Sequence, residues 1–208
     1  YKANRKGMPD ALAVQLPFAK DVCGLLGYTV VTCEGYEADD LLGTIAAAAE
    51  SEGDECVLVT GDRDSFQLVS PHVSVYLAAN SETKVYDPAR IAAEYGVSPA
   101  QLVDVKAIMG DASDNIPGVP GIGEKSACKL VQEWGTVENI LDNVSKIKGK
   151  QGEKIAAWGD KLRLAKHLTT ICLDVPIPFR PEDLTVCDPH IDELKAVFAE
   201  LDFKAFMN

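Results

Sequence analysis

Residues 56–64 read CVLVTGDRD. The first five are apolar or β-branched, long enough for a strand and too short for an ordinary helix. A run without polar alternation marks a strand covered on both faces, as in a parallel sheet, so Cys56–Thr60 is expected to be fully buried. It runs directly into Asp62 and Asp64. In an open α/β sheet, ligands bind beyond the carboxyl ends of the strands, so these two carboxylates stand where a site belongs. A turn would also favour them.

Working outward, residues 28–33 (YTVVTC) predict a second strand and residues 37–52 an alanine-rich helix. Residues 9–26 carry Leu12, Leu16, Val22, Leu25 and Leu26 at helical spacing, with Pro17 set to interrupt that helix. Downstream, residues 73–77 and 84–86 read as strands. Asp87-Pro88 has the cap and first-turn chemistry of a helix start, and another helix is expected from Pro99 to Gly110. Beyond lie helical signals, broken by a Gly/Pro-rich loop over 110–123 and a proline-rich connection over 175–184, with a last helix over 191–201. Strand and helix alternate early and helices dominate late. The expectation is an α/β fold: a mainly parallel sheet flanked by helices over residues 1–110, then a C-terminal helical lobe over 111–208.

Three acidic groups have chemical meaning together. Glu37, Asp39 and Asp40 open the helix at GYEADD; Asp62 and Asp64 follow the strand; Asp111 and Asp114 lie in GDASDN. Singly, each has a plain structural role in a cap, a helix dipole or a turn. Brought together, seven carboxylates would repel strongly without cations. Hard divalent ions such as Mg²⁺ or Mn²⁺ take oxygen ligands. Two of them, about 3.5–4 Å apart, can activate water and stabilise the leaving oxygen in phosphodiester hydrolysis. No competing set is present: there is no G-x-x-x-x-G-K-[ST] loop and no H-E-x-x-H.

Residues 118–127 read GVPGIGEKSA. Gly118, Gly121, Ile122 and Gly123 permit a tight backbone turn that opens a helix, and Lys125, Ser126 and Lys129 lie on its first turns. Such a turn aims backbone N–H groups at a phosphate. The pattern is similar to the helix-hairpin-helix, which holds duplex DNA by its backbone without reading sequence. A basic run, with Lys or Arg at 146, 148, 150, 154, 161, 163 and 166, extends the expected duplex-binding face. The net charge of −12 looks wrong for such a protein, but seven of the acids belong to the cluster that cations would neutralise. Six cysteines show no metal-ligand spacing and are expected to be reduced thiols. No apolar run approaches the roughly 20 residues of a membrane span.

The ordered set YKANR (1–5), GYEADD (35–40), TGDRD (60–64), MGDASDN (109–115) and GVPGIGEKSA (118–127) resembles the 5′-nuclease, or flap endonuclease, family over essentially the whole chain. Within that family it is most similar to the N-terminal 5′→3′ exonuclease domain of bacterial DNA polymerase I. The resemblance implies a PIN-like fold with a helical arch and a two-metal site on Glu37, Asp39, Asp40, Asp62, Asp64, Asp111 and Asp114. It places Lys2 and Arg5 at the scissile phosphate and the hairpin, with a K⁺ ion, on duplex DNA. Implied partners are 5′ flaps, nicked or gapped duplexes and RNA primer–DNA junctions in replication and repair. A monomer in the bacterial cytoplasm at the nucleoid, fused to polymerase domains, is expected. The family also carries an aspartate on an initial strand and another before the arch. Neither matches here, which points to a missing N-terminal strand and a fragment of a longer protein. The alternative is a catalytically inactive flap- or duplex-DNA-binding fragment. A PIN-type ribonuclease is a further rival, against which the duplex-binding hairpin argues.

Overall fold

The structure is a computed structural model that describes residues 2–3, 7–78, 82–178 and 181–206. Two short helices come first, α1 (Asp10–Ala13) and α2 (Leu16–Leu25). The break between them falls just before Pro17, which sits in the first turn of α2, where its missing N–H costs nothing. Neither helix has a buried residue; their apolar side chains instead line a groove with Phe198, Leu201 and Phe203 near the end of the chain.

Helix α3 (Ala38–Glu52) leads to strand β1 (Cys56–Thr60), a 3₁₀ turn (Arg63–Leu68), then β2 (Val73–Ala78) and β3 (Thr83–Tyr86). The sheet order is β1-β2-β3, with β1 parallel and β3 antiparallel to β2. It is therefore mixed rather than mainly parallel. Two further expectations need correction. Residues 28–33 form no strand: β-branched composition favours a pleated surface only where a neighbour offers a ladder. Here the chain leaving α2 is pinned instead by residues 187–190, with Cys187 N donating to Gly27 O at 2.9 Å and His190 N to Leu25 O at 2.8 Å. Strand β1 is not covered on both faces either. Leu58 is buried, while Val57 and Val59 are 50% and 66% exposed, so one face of β1 packs on the core and the other is open.

That core holds Leu58, Phe66, Val73, Val75, Tyr86 and Ile91. Phe66 stacks on Tyr86 with ring centroids 4.1 Å apart. Helices α4 (Pro88–Tyr95) and α5 (Leu102–Met109) follow, Asp87 capping α4 by accepting from Arg90 N at 2.7 Å. A two-residue ladder, β4 (Gly110–Asp111) with β5 (Ile116–Pro117), joins α5 to α6 (Glu124–Trp134). Then come α7 (Val137–Asp142), the long α8 (Lys150–Thr169), and α9 (Ile191–Glu200). A second core, beginning at Val97 and including α5, fills the helical lobe around Ile108, Val131, Ile140, Ile155 and Leu162. Among the described residues no helix is long and apolar enough to cross a membrane. All six cysteines are free thiols.

Candidate metal centre and nucleic-acid face

Each acidic group is placed by its own local structure. Glu37 is the N-cap of α3, and the Asp40 carboxylate accepts from Glu37 N at 3.0 Å, which completes a capping box. Asp40 Oδ1 also accepts from Cys172 N at 2.9 Å. Asp62 caps the 3₁₀ turn by accepting from Asp64 N at 2.9 Å, while its own N–H donates to Thr60 Oγ1 at 3.0 Å. Asp111 Oδ1 accepts from Ser113 N, Ser113 Oγ and Asp114 N, an Asp-led turn.

Tertiary structure then gathers them. Glu37, Asp39, Asp40, Asp62, Asp64 and Asp114 line one cavity of about 320 Å³. Asp111 joins through Asp64 and Asp114; these three can each present an oxygen within 4.8 Å of the others. The remaining wall is the end of α8 and the residues after it, His167 to Ile171, which sequence reasoning did not find.

Two lysines sit among the acids. Lys2 bonds Glu37, lies 3.8 Å from Asp114 Oδ2, and donates its backbone N–H to Asp114 O at 2.8 Å. Lys106 bonds Asp64 and lies 2.7 Å from Asp111 Oδ2. Lys106 was also missed, although a signal existed: it is the sole basic residue between Arg90 and Lys125, on an apolar helix just before Asp111. Arg5 lies outside the described residues.

The electrostatics follow from this arrangement. Burial, then the charges of Asp62, Asp64 and Glu37, pushes Asp39 up to about 6, with Lys2 pulling weakly the other way. Burial raises Asp64 as well, and Lys106 only partly offsets it. Burial would also raise Asp111, but the Lys106 ammonium and the Ser113 hydroxyl outweigh it and hold Asp111 at about 2. Lys106 is lifted despite its burial, because Asp111 and Asp64 both accept from it. The site is an excess of negative charge with two internal counter-ions.

The second region is the hairpin between α5 and α6. Gly110 and Gly118 let two backbones touch: a Cβ on Gly118 would lie 2.1 Å from the Met109 carbonyl. Gly121 has φ +79°, a conformation few side chains adopt. Gly121, Gly123, Lys125, Ser126 and Lys129 are exposed. Ile122 is not: it is 6% exposed, and its N–H donates to Val119 O at 3.0 Å. Its side chain anchors the turn from beneath. The basic run also divides. Lys150, Lys154 and Lys161 are exposed and share one face of α8 by spacing, and Lys154 Nζ donates to Pro120 O at 2.8 Å, so the stripe abuts the hairpin. Lys166 is diverted inward, 2.7 Å from both the buried Asp104 and Glu138.

Two family models match with abutting limits. One, the 5′-3′ exonuclease N-terminal resolvase-like domain, covers residues 1–96; the other, the 5′-3′ exonuclease C-terminal SAM fold, covers 97–192. The chain belongs to the 5′-3′ exonuclease family. Relatives of this exonuclease-family chain include DNA polymerase I of Bacillus caldotenax, 41% identical over 100% of the chain and 24% of that protein. Another is a thermostable DNA polymerase I of Thermus filiformis, 42% identical over 100% of the chain and 25% of that protein. The exonuclease-family chain thus spans about a quarter of the length of these relatives. Among solved structures, the T5 5′-exonuclease with divalent zinc bound is similar at TM-score 0.69 and 26% identity, covering 99% of the chain and 71% of that protein. The catalytic core of Rad2 in complex with DNA substrate shares the fold at TM-score 0.58 and 16% identity, over 94% of the chain and 66% of that core.

Proposed function

We propose that this chain is a structure-selective, divalent-metal-dependent 5′ nuclease that hydrolyses phosphodiester bonds at 5′ flaps and 5′ ends of DNA and of RNA primers. The observation that carries the reading is the convergence of six carboxylates on one cavity, with Asp64, Asp111 and Asp114 able to place oxygens within 4.8 Å. An all-oxygen, strongly anionic donor set fits two hard cations of the Mg²⁺ or Mn²⁺ kind. Such ions, when bound, supply a water of lowered pKa and neutralise charge on the leaving oxygen. Glu37, Asp39, Asp40, Asp62, Asp64, Asp111 and Asp114 would hold them.

The chain's own groups do the rest. Lys2, at the cavity wall, offers an ammonium to charge developing on a phosphate, a role that Arg5 shares by family resemblance. The hairpin and the Lys150, Lys154 and Lys161 stripe hold the flanking duplex through its phosphates. Lys154 Nζ, which donates to Pro120 O at 2.8 Å, adds positive charge at the hairpin turn, where family resemblance also places K⁺. The wider role, in replication and repair, belongs to a monomer in the bacterial cytoplasm joined to polymerase modules.

A second reading, duplex binding without cleavage, is favoured by one feature: Lys2 and Lys106 already pair with Glu37, Asp114, Asp64 and Asp111. Incubating a labelled 5′-flap duplex with the chain, in Mg²⁺ and in EDTA, separates the two. Metal-dependent cutting at the flap junction supports the nuclease; binding with no cutting in Mg²⁺ or Mn²⁺ supports the second reading.

A further inference from the structure

We infer that Gln67 is a positioning residue for the metal centre, locking the turn that carries Asp62 and Asp64 onto the backbone that follows α8. The inference rests on the metal-site reading above. Gln67 lies in the 3₁₀ turn, three residues after Asp64, and is half-buried. Its side-chain Nε2 donates to Asp64 O and to Thr169 O, each at 3.0 Å. Its Oε1 accepts from Ile171 N at 3.0 Å. The amide therefore pairs with residues 169 and 171 much as the peptide of a neighbouring strand would.

The segment it grips is a wall of the acidic cavity, and its next N–H, that of Cys172, donates to the Asp40 carboxylate at 2.9 Å. Gly43 makes room for this approach, since a Cβ there would lie 2.8 Å from Ile171 Cγ2. The segment is thus tied on one side to Asp40 of α3 and on the other to the Asp62–Asp64 turn. These two carboxylate groups come from different elements, and the Gln67 amide together with the Cys172 N–H fixes both to one strip of backbone.

The side-chain type matters. A neutral primary amide offers two donors and an acceptor in one plane, so it satisfies two carbonyls and an N–H without adding charge to a crowded acidic site. Methionine keeps the length but loses every bond. Asparagine keeps the amide but falls one methylene short of the bridge. A partner bonded directly to a ligating side chain costs about 10–100-fold in metal affinity when removed, and Gln67, which holds the backbone of Asp64 instead, stands one link further out, so the lower end of that range applies.

The test is Mn²⁺ affinity, read from the spectrum of free Mn²⁺ in titrations well below the unfolding midpoint, for wild type, Gln67→Met, Gln67→Asn and Thr44→Val. The last is a control: Thr44 Oγ1 accepts from Val175 N at 3.1 Å, further along the same segment and away from the cavity. Both Gln67 variants are expected to bind Mn²⁺ about tenfold more weakly, with flap-duplex affinity in EDTA unchanged. Thr44→Val should melt earlier yet bind Mn²⁺ like wild type. If Gln67→Met does not fold, Gln67→Asn carries the test. Wild-type Mn²⁺ affinity in the folded Gln67 variants overturns the inference and leaves the metal site standing. Equal weakening in Thr44→Val also overturns it, because the effect would then be a general loosening of the segment. A wild-type chain that binds no Mn²⁺ removes the metal site and the inference together.

Discussion

The acidic cavity draws its lining from Lys2, residues 37–40, 62–64, Asp114 and residues 167–171, whereas the basic face needs only the stretch from Gly118 to Lys161. The two differ in how charge is kept. Around the cavity, Asp40, Asp62 and Asp111 accept backbone N–H groups, and Lys2 and Lys106 pair with Glu37, Asp114, Asp64 and Asp111, so these carboxylates are fixed before any ligand arrives. On the hairpin and α8, Lys125, Lys129, Lys150 and Lys161 are exposed to solvent. Fixed, crowded like charges suit ions that demand a set geometry; exposed flexible charges suit a polyanion recognised by its backbone. One region is built for position and the other for charge alone.

The sharpest way to break this comparison is to remove a carboxylate without disturbing its local bonds. Asp62→Asn keeps an acceptor for Asp64 N, so the turn should survive. Cleavage of a 5′-flap duplex should fall roughly a thousand-fold, the loss of several kcal/mol of metal-borne stabilisation, while duplex affinity in EDTA stays at the wild-type value. Next, Lys106→Met strips the counter-ion from Asp64 and Asp111. Thermal or urea unfolding without metal should show a loss of roughly 3 kcal/mol, and added Mg²⁺ should recover more stability in the variant than in wild type. An identical Mg²⁺ response would mean that Lys106 acts only in packing.

On the other side, the triple variant Lys150→Ala, Lys154→Ala, Lys161→Ala should weaken duplex binding roughly tenfold to a hundredfold at moderate salt. It should flatten the slope of log affinity against log salt by about 0.9 per lost phosphate contact, with Mn²⁺ affinity unmoved. A slope unchanged from wild type would take α8 off the duplex. The smallest effect concerns the lysine that left this face. Burial would raise Glu138, but the hydrogen bond from Lys166 outweighs it and lowers Glu138 below its ordinary 4.5. A depressed carboxylate contributes stability that is present above about 4.5 and is lost as pH falls through the folded value. Acid unfolding of Lys166→Met should therefore show a shallower decline below that pH than wild type.

How much of this was legible from the residues varies with the range of the interaction concerned. The helix starts at Glu37 and Asp87 were readable because caps act within three or four residues. So was the interruption at Pro17, and so were the positions of the seven carboxylates, at a helix start, past the end of a strand and in a turn. The strand expected over 28–33 fails because pairing depends on a partner that composition does not reveal, and the chain entering it is held at Leu25 and Gly27 by residues 187–190. The place of Ile122 in the motif is legible, but the inward direction of its side chain is not. Lys166 looked like part of a basic face until Asp104 and Glu138 claimed it from two other helices.

What the residues carry without a fold is an inventory of chemistry: carboxylates at element ends, a glycine turn opening a basic helix, and a family to which both belong. Those features are local, written in spacings of a few residues. Which groups meet follows from packing. It brought Thr169 and Ile171 to Gln67 across 102 and 104 positions of chain, set Lys106 against Asp64 across 42, and turned α8 so that one end lines the acidic cavity while the other carries lysines to the hairpin. The physical reason is that caps and turns are satisfied by neighbours in the chain, whereas counter-charges and bridging amides are satisfied by whatever the two packed cores bring alongside them.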